Sequence, residues 1–340
     1  MKKLIFLAFF IILFVYARPF AKTEKITVFS GNEMTIDYRI LIGQSLSRKD
    51  KTFISMLITK TFDEVDKIYN KWNPFSELSL LNKLDTGEKV QISSQLEHLL
   101  VLTDKIVKLT EGRFDPTIEP LQALWEKHLT QGKVPSQAEI NAIAPFIGWN
   151  KIHFDKGLFY KDKAEVSLDL GGIAKGYCVD LLVTGLNKAG FENVYVEWGG
   201  EIRTSGEHPD KRPWKIFISS LGNTNPEEAA AVLSLNNQAI ATSGDYLQNW
   251  KIQQAGSESD KMIYFHIIDP NTMQPRIITP HSIASASVLA SSCAFADGLA
   301  TAAMMFSSVQ EVETWIEKIK TQFPELSFWI ISRNQAMGSF

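Results

Sequence analysis

The sequence predicts a mixed α+β fold with largely antiparallel sheets and packed helices. Three observations carry that prediction. Apolar residues change period along the chain, from the two-residue alternation of half-buried strands to the three-to-four-residue spacing of amphipathic helices. The strand-like and helix-like segments do not alternate strictly, which argues against a doubly wound parallel sheet. Finally, 340 residues, 45% hydrophobic and 21% charged, suffice for a large core in one domain or two lobes.

Taken in order, the chain opens with Lys2-Lys3, an apolar run from Leu4 to Tyr16 and the small-residue pattern Val15-Tyr16-Ala17. Residues 1–21 therefore read as a secretory signal peptide, or as an uncleaved anchor attaching the protein to the inner membrane. The run is shorter than the ~20 residues of an ordinary transmembrane helix. The expected location is outside the cytoplasm, in the periplasm of a bacterial host, with residues 22–340 as the folded part. There Cys178 and Cys293 either pair or stay as buried thiols.

Lys25 to Ile42 reads as extended chain broken at Ser30-Gly31-Asn32, with Met34 just past the turn. From Lys51, the residues Ile54, Leu57, Ile58, Val65, Ile68 and Trp72 recur at helical spacing until Pro74. Ser76 to Asn82 is a helical cap and short turn. Ser93 to Glu111 is a second amphipathic helix, serine-capped and ended by Gly112, and it delivers the chain to Arg113-Phe114-Asp115-Pro116-Thr117. Pro116 biases Asp115 away from helix. Leu121 to Trp125 is helical. Gln131 to Ala144 is a polar helical insertion, and 131–150 is the weakly marked lobe boundary.

Lys151 to Leu170 forms a hairpin, Ile173 to Ala189 a helix, and Asn193 to Trp198 a strand ended by Gly199-Gly200-Glu201. Strands follow at Trp214 to Ser219, Ala231 to Thr242, and Tyr264 to Pro270. Ser285 to Ala290 is a β segment that enters a helix over Ser292 to Phe306, and a last helix and strand cover Val309 to Ser332.

The densest chemistry lies at Ser167-Leu168-Asp169-Leu170-Gly171-Gly172-Ile173-Ala174-Lys175-Gly176-Tyr177, at a strand-to-helix junction. Paired glycines let backbone approach a ligand closely and make positive φ cheap. A helix start then aims free N–H groups at an anion. The spacing is neither G-x-G-x-x-G nor G-x-x-x-x-G-K-[ST], so a nucleotide bound here sits in another kind of fold. Gly-rich turns also serve purely structural ends. Farther on, Asp297 and Thr301 are four apart on one helix face among small and apolar neighbours. Two readings stay open for them. They supply hard oxygen ligands for Mg²⁺, or Asp297 serves the helix dipole and Thr301 bonds back to a carbonyl. His266, where a strand stops, is a hydrogen-bonded structural residue or a base that titrates near neutrality. Trp72 and Phe114 stack on a flat ring or belong to the core. A net charge of −3 and a pI near 6.1 leave no basic footprint for nucleic acid, and the two cysteines make no C-x-x-C motif.

Together these segments resemble the ApbE flavin transferases, from about Met34 to Phe306. The strongest matches are Asp169-Leu-Gly-Gly-Ile-Ala-Lys-Gly-Tyr177, Ala241-Thr-Ser-Gly-Asp-Tyr246, His266-Ile-Ile-Asp-Pro270 and Ala296-Asp-Gly-Leu-Ala-Thr301, in the family's order and spacing. Ser76-Glu77 with Asn82, and Phe114 to Thr117 with Pro120-Leu121 and Trp125, look like its earlier motifs. The resemblance implies a T-fold-like core and transfer of FMN from FAD to a protein hydroxyl with release of AMP. It implies Mg²⁺ on Asp297, Thr301 and the Gly172 carbonyl. It implies FAD contacts from Met34, Trp72, Arg113, Phe114, Asp115, Asp169 and Lys175, with Ile268 near the flavin and His266 deprotonating the acceptor. The implied acceptor is a threonine or serine in a D-x-x-[ST]-G-[AS]-T segment of an exported redox subunit, such as one of sodium-pumping NADH:quinone reductase.

The chain departs from the family pattern in three places: Met273 replaces a glycine after Asp269-Pro270-Asn271-Thr272, Glu201 replaces an aspartate after Gly199-Gly200, and Thr35 replaces a glycine after Met34. Two rival functions use the same residues: an Mg²⁺-dependent FAD pyrophosphatase, with water in place of the acceptor, and a non-catalytic flavin-binding protein.

Overall fold

The first hairpin sits one turn later than the sequence suggests. In the structure, a computed structural model that describes residues 26–221, 225–245, 249–253, 261–334 and 337–339, β1 (Thr27–Glu33) pairs with β2 (Ile36–Ile42). The expected signal or anchor segment 1–21 and Tyr246 lie outside the described residues. Met34 and Thr35 are the two-residue turn itself, both at positive φ (49° and 65°), the handedness that matches strand twist. Ser30-Gly31-Asn32 stays extended because the Tyr38 ring lies across Gly31, 2.8 Å from where a Cβ would be. A glycine on an edge strand is thus covered by an aromatic neighbour.

Helix α1 (Arg48–Tyr69) starts at a Ser47–Asp50 capping box and buries Ile54, Ile58, Phe62, Val65 and Tyr69. It stops at Asn70, before Pro74, so Trp72 does not extend its apolar stripe and stands 76% exposed. The chain turns there because Asn70 Oδ1 accepts the Trp72 N–H and Asn73 Oδ1 accepts the Phe75 N–H, each at 3.0 Å. Next come α2 (Glu77–Asn82), β3 (Val90–Gln91) and α3 (Ser94–Leu109). Ser76 and Ser93 cap the two helices, as their sequences indicate. A 3-10 turn (Pro116–Ile118) leads into α4 (Glu119–Leu129), and a Ser136–Glu139 capping box starts α5 (Gln137–Ile143). The hairpin β4 (Ile152–Asp155) and β5 (Leu158–Lys161) precedes α6 (Gly171–Lys188). Residues 166–170 are irregular rather than a strand.

The second half is richer in β structure than its sequence suggests. It comprises β6 (Val194–Trp198), β7 (Glu201–Ser205), β8 (Trp214–Ile218), β9 (Ala231–Leu235), β10 (Ala239–Gly244), β11 (Asn249–Gln253), β12 (Lys261–Asp269), β13 (Gln274–Ile277) and β14 (Ile283–Ala290). Helices α7 (Cys293–Ala303) and α8 (Val309–Lys320) and strands β15 (Ser327–Ser332) and β16 (Met337–Ser339) complete the chain. Gly199 and Gly200, at φ 65° and 100°, form the β6–β7 turn, so Glu201 opens a strand instead of closing one. The expected strand Ala231–Thr242 breaks at Asn237 (φ 53°), and its halves join different sheets.

Among the described residues, eight strands form one sheet in the order β1-β2-β6-β7-β10-β14-β15-β16, every neighbour antiparallel. Smaller sheets are β11-β12-β13, β3-β5-β4 and β8-β9. Alternation assigns the faces of the large sheet. Val194, Val196 and Trp198 join the main core with α1, α6 and α7, whereas Tyr195 joins a second cluster with Trp214 and Ile216 of β8. A third cluster joins α4 (Leu121, Trp125, Leu129) and Ile140 and Ile147 of the 131–150 segment to Tyr264 and Ile268 of β12. Among the described residues no helix is long and apolar enough to cross a membrane.

Candidate active site

The irregular segment before α6 is held by two side chains whose importance the sequence conceals. Lys161, 1% exposed, donates to the carbonyls of Asn82 (2.7 Å), Ala164 (2.8 Å) and Val166 (2.8 Å). Asn82 then pairs with both backbone polar groups of Leu168, at 2.8 and 2.9 Å. Asp169 emerges from this clamp. Its Oδ1 accepts the Gly171 N–H at 2.7 Å, and its other oxygen pairs with Lys71 Nζ at 2.9 Å. Gly171 and Gly172 have ordinary helical backbone, so their role is close approach and not positive φ. A Cβ on Gly172 would lie 3.0 Å from the Phe114 ring and 3.1 Å from Thr301 Oγ1.

Helix α7 is latched to α6 through Asp180. One Asp180 oxygen accepts the Cys293 N–H (2.9 Å) and an Arg203 N–H (2.6 Å); the other accepts the Ala294 N–H (3.0 Å) and the Ser292 hydroxyl (2.8 Å). The amino-terminal N–H groups of α7 are therefore served by Asp180 and the Ser292 cap, and Asp297 is left for another task. Asp297 is 2% exposed. Its Oδ2 accepts the Gly176 N–H at 3.1 Å, the same amide a regular helix gives to the Gly172 carbonyl, so two oxygens share one donor. Thr301, one turn on, brings Oγ1 within 3.2 Å of Ser243 Oγ.

Lys175 lies between two acids, 2.5 Å from Glu201 Oε1 and 3.7 Å from Asp297 Oδ1. Burial alone lowers an ammonium pKa, but here Asp297 and Glu201 outweigh it and raise that of Lys175. Burial raises Asp297 as well, against Lys175 and the Gly176 N–H. Glu201, 1% exposed, is pushed up to about 7 by burial despite Lys175, and its Oε2 has no hydrogen-bond partner. Two buried carboxyls thus face one ammonium, and an acceptor oxygen is left over.

These groups floor a cavity of about 320 Å³. Its walls include Arg113 to Pro116, Asp169, Gly171-Gly172, Thr242 to Gly244 and His266 to Ile268. Arg113 stacks on the Phe306 ring, 4.4 Å from its centroid. Phe114 is buried. Asp115 uses its carboxylate on the Thr117 N–H and hydroxyl (2.9 and 2.7 Å) and on the Trp149 N–H (3.1 Å), so that side chain shapes the turn. His266 and Ile268 reach the wall from β12, which is a nine-residue strand rather than a short one. Its pairing with β13 shifts register between Tyr264 and Ile268, the stretch that carries His266.

A second cavity of about 220 Å³ shares Gln122, Asp169, Gly171, His266 and Ile268 with the first and is lined by Trp72, Trp125 and Trp250. Exposed Trp72 therefore does offer a ring face at the site, with Lys71 Nζ 4.9 Å from its centroid. Met34, in the β1–β2 turn, packs on the main core and lies outside both linings. Cys178 and Cys293 are free, buried thiols, raised by burial well above the usual thiol range.

Sequence reasoning missed Lys71, Lys161 and Asp180, quoted Ser243 within a motif without giving it a role, and took Glu201 for a turn residue. Only Asp180 leaves a trace there, a lone acid in an otherwise apolar stretch of helix. Among the described residues no three His, Cys, Asp or Glu side chains converge on a metal position. A cation here would rest on carboxylate plus neutral oxygens.

The chain is 40% identical over 298 residues to the FAD:protein FMN transferase of Chlamydia pneumoniae, covering 87% of this chain and 90% of that one. It is 33% identical over 278 residues to the Vibrio cholerae protein of the same name, covering 81% and 80%. The solved structure of flavin transferase ApbE from Vibrio cholerae superposes with a TM-score of 0.75 at 28% identity, covering 93% of this chain and 97% of the other. The ApbE family model matches residues 31–324, and the chain belongs to the ApbE family.

Proposed function

We propose that this protein is an FAD:protein FMN transferase that uses Mg²⁺ and delivers FMN to a threonine or serine hydroxyl of an exported redox subunit, with release of AMP. The observation that carries this reading is the Lys175–Glu201–Asp297 cluster, a part-exposed ammonium between two buried carboxyls beneath a cavity of nucleotide-binding size. Asp297, Thr301 and the Gly172 carbonyl would hold the Mg²⁺. The fit rests on their hard oxygen chemistry and on a cradle at Gly172 that a Cβ would fill. When bound, that ion supplies charge neutralisation on the phosphoryl oxygens.

The chain's own residues then divide the work. Lys175 offsets negative charge that builds as the diphosphate opens. Arg113, the turn at Phe114-Asp115 and Asp169 hold the nucleotide, and Trp72 and Ile268 flank the flavin, whereas Met34 lies outside both cavity linings. His266 accepts the proton of the acceptor hydroxyl. The hydroxyl oxygen forms a bond to the FMN phosphorus, and the bond to the bridging oxygen breaks and leaves its electron pair on AMP. The acceptor carries a D-x-x-[ST]-G-[AS]-T segment, as in a sodium-pumping NADH:quinone reductase subunit. The enzyme works in the periplasm, exported by residues 1–21 or anchored by them to the inner membrane.

Incubation with FAD, Mg²⁺ and an acceptor-motif peptide tests this. An FMN adduct in the peptide mass is expected. Free FMN and AMP instead would mark a pyrophosphatase, and intact FAD a binding protein. Asp297→Ala should abolish the adduct and weaken Mg²⁺ binding measured by calorimetry. His266→Ala should retain FAD binding but lose transfer at neutral pH by roughly 10²–10⁴-fold, the usual contribution of a positioned base. Undiminished transfer would remove His266 from the reaction.

A further inference from the structure

A third cavity, an open groove, shares walls with the second. It holds about 420 Å³ between the α1–α2 turn with α2 on one side and α4 on the other. Lys71, Trp72, Gln122 and Glu126 are common walls of this groove and the second cavity, and the second cavity shares His266 with the first. The groove is also lined by Ser79, Lys83, Glu119 and Ser167, whose polar groups pair within the chain: Ser79 Oγ donates to the Lys71 carbonyl, Lys83 Nζ to the Pro74 carbonyl and Ser167 to Glu119.

Next in the chain to the lining residues Pro74 and Ser79, large apolar side chains face solvent. Phe75 is 84% exposed, Trp72 is nearly as exposed, and Leu80 on the outer face of α2 is half exposed. These are three large apolar side chains within nine residues. They are also held in place. The Asx turns at Asn70 and Asn73 fix the loop, and Asn73 Nδ2 donates to Asp66 Oδ2 at 2.7 Å. Aromatic side chains presented to water on a pinned turn cost solvation and bury nothing within this chain. A clustered exposure of that kind marks a protein contact.

We infer that the Trp72–Phe75–Leu80 rim and the α2–α4 groove are the docking surface for the acceptor polypeptide. The acceptor's apolar surface covers Phe75 and Leu80, and the extended segment that carries its hydroxyl lies in the groove. Continuity of the walls from the groove to His266 is what commits the surface to this occupant. The inference rests on the proposed transfer to a protein hydroxyl.

Two variants test it, neither in the reaction machinery: Phe75→Ser with Leu80→Ser, and Ala123→Arg, which narrows the groove from an exposed position on α4. Transfer to the folded reductase subunit carrying the acceptor motif is followed against subunit concentration. The expected result for each is a KM for the subunit raised at least tenfold, with FAD affinity and helical content unchanged. An unaltered subunit KM in both variants overturns the inference. So does a parallel rise in the KM for FAD, which would assign the groove to the nucleotide. A change confined to self-association in sedimentation or to binding of anionic vesicles, with the subunit KM intact, also overturns it. If the unmutated enzyme hydrolyses FAD but modifies no subunit, the transfer reading itself has failed, and that outcome is distinct from the others.

Discussion

Lys161 and Lys175 stand on either side of the Asp169 segment in the chain, the first buried and the second part-exposed against two buried carboxyls, and they do opposite things. The Lys161 ammonium has three donors and three backbone carbonyls to receive them, so nothing is left over. Burial lowers its pKa. Lys175 faces two carboxyl groups, is raised by them, and still leaves Glu201 Oε2 without a partner. A buried charge whose hydrogen-bonding capacity is closed belongs to the architecture. A charge whose surroundings hold an excess of opposite charge belongs to a site that expects a ligand.

The largest effect that would break this contrast is on Lys161. Lys161→Met should cost roughly 3–5 kcal/mol of stability, because three carbonyls lose a buried cationic partner. The surviving folded fraction should keep its FAD affinity. Urea melts and calorimetry on the same sample check both halves, and lost FAD affinity without lost stability would merge the two lysines into one class. Lys175→Met should do the reverse. Transfer falls roughly 10²–10³-fold, and stability falls less than for Lys161→Met because Glu201 can take up a proton once its partner is gone.

The smallest effect is a slope with pH. Glu201 is raised from its ordinary 4.5 to about 7, so folding binds a proton there. Its contribution to stability is present below about pH 4.5 and is lost as pH rises toward 7. In the metal-free protein, Glu201→Gln should flatten that part of the stability–pH profile. An unchanged slope would mean that Glu201 is charged throughout.

The same contrast explains what could be read from sequence. Asp297 and Thr301 stand out as an acid and a hydroxyl four apart among alanines, but a helix-dipole and back-bonding role fits the same spacing and only the family resemblance favours the metal reading; Asp169 through Lys175 stand out because chemistry is dense there. Lys161 does not, since a lysine ending an alternating Leu-Phe-Tyr-Lys strand looks like a solvated residue and its three acceptors come from distant backbone. Trp72 was legible as an aromatic near a turn but not as an exposed one, because Asn70 ends α1 through a side-chain bond that periodicity does not register. The mixed antiparallel fold followed from patterning. Strands β11 and β13 did not, since they exist only by pairing with β12.

One feature of the helix pair reaches further. At Gly176 helix α6 lies so close to α7 that a Cβ would fall 2.4 Å from the Cys293 carbonyl oxygen. The crossing has no side chain in it to yield, and Asp180 ties the same ends together. On the proposed assignment, the Gly172 oxygen comes from one helix and the Asp297 and Thr301 oxygens from the other. The crossing then behaves as a caliper whose jaws are set by bare backbone contact.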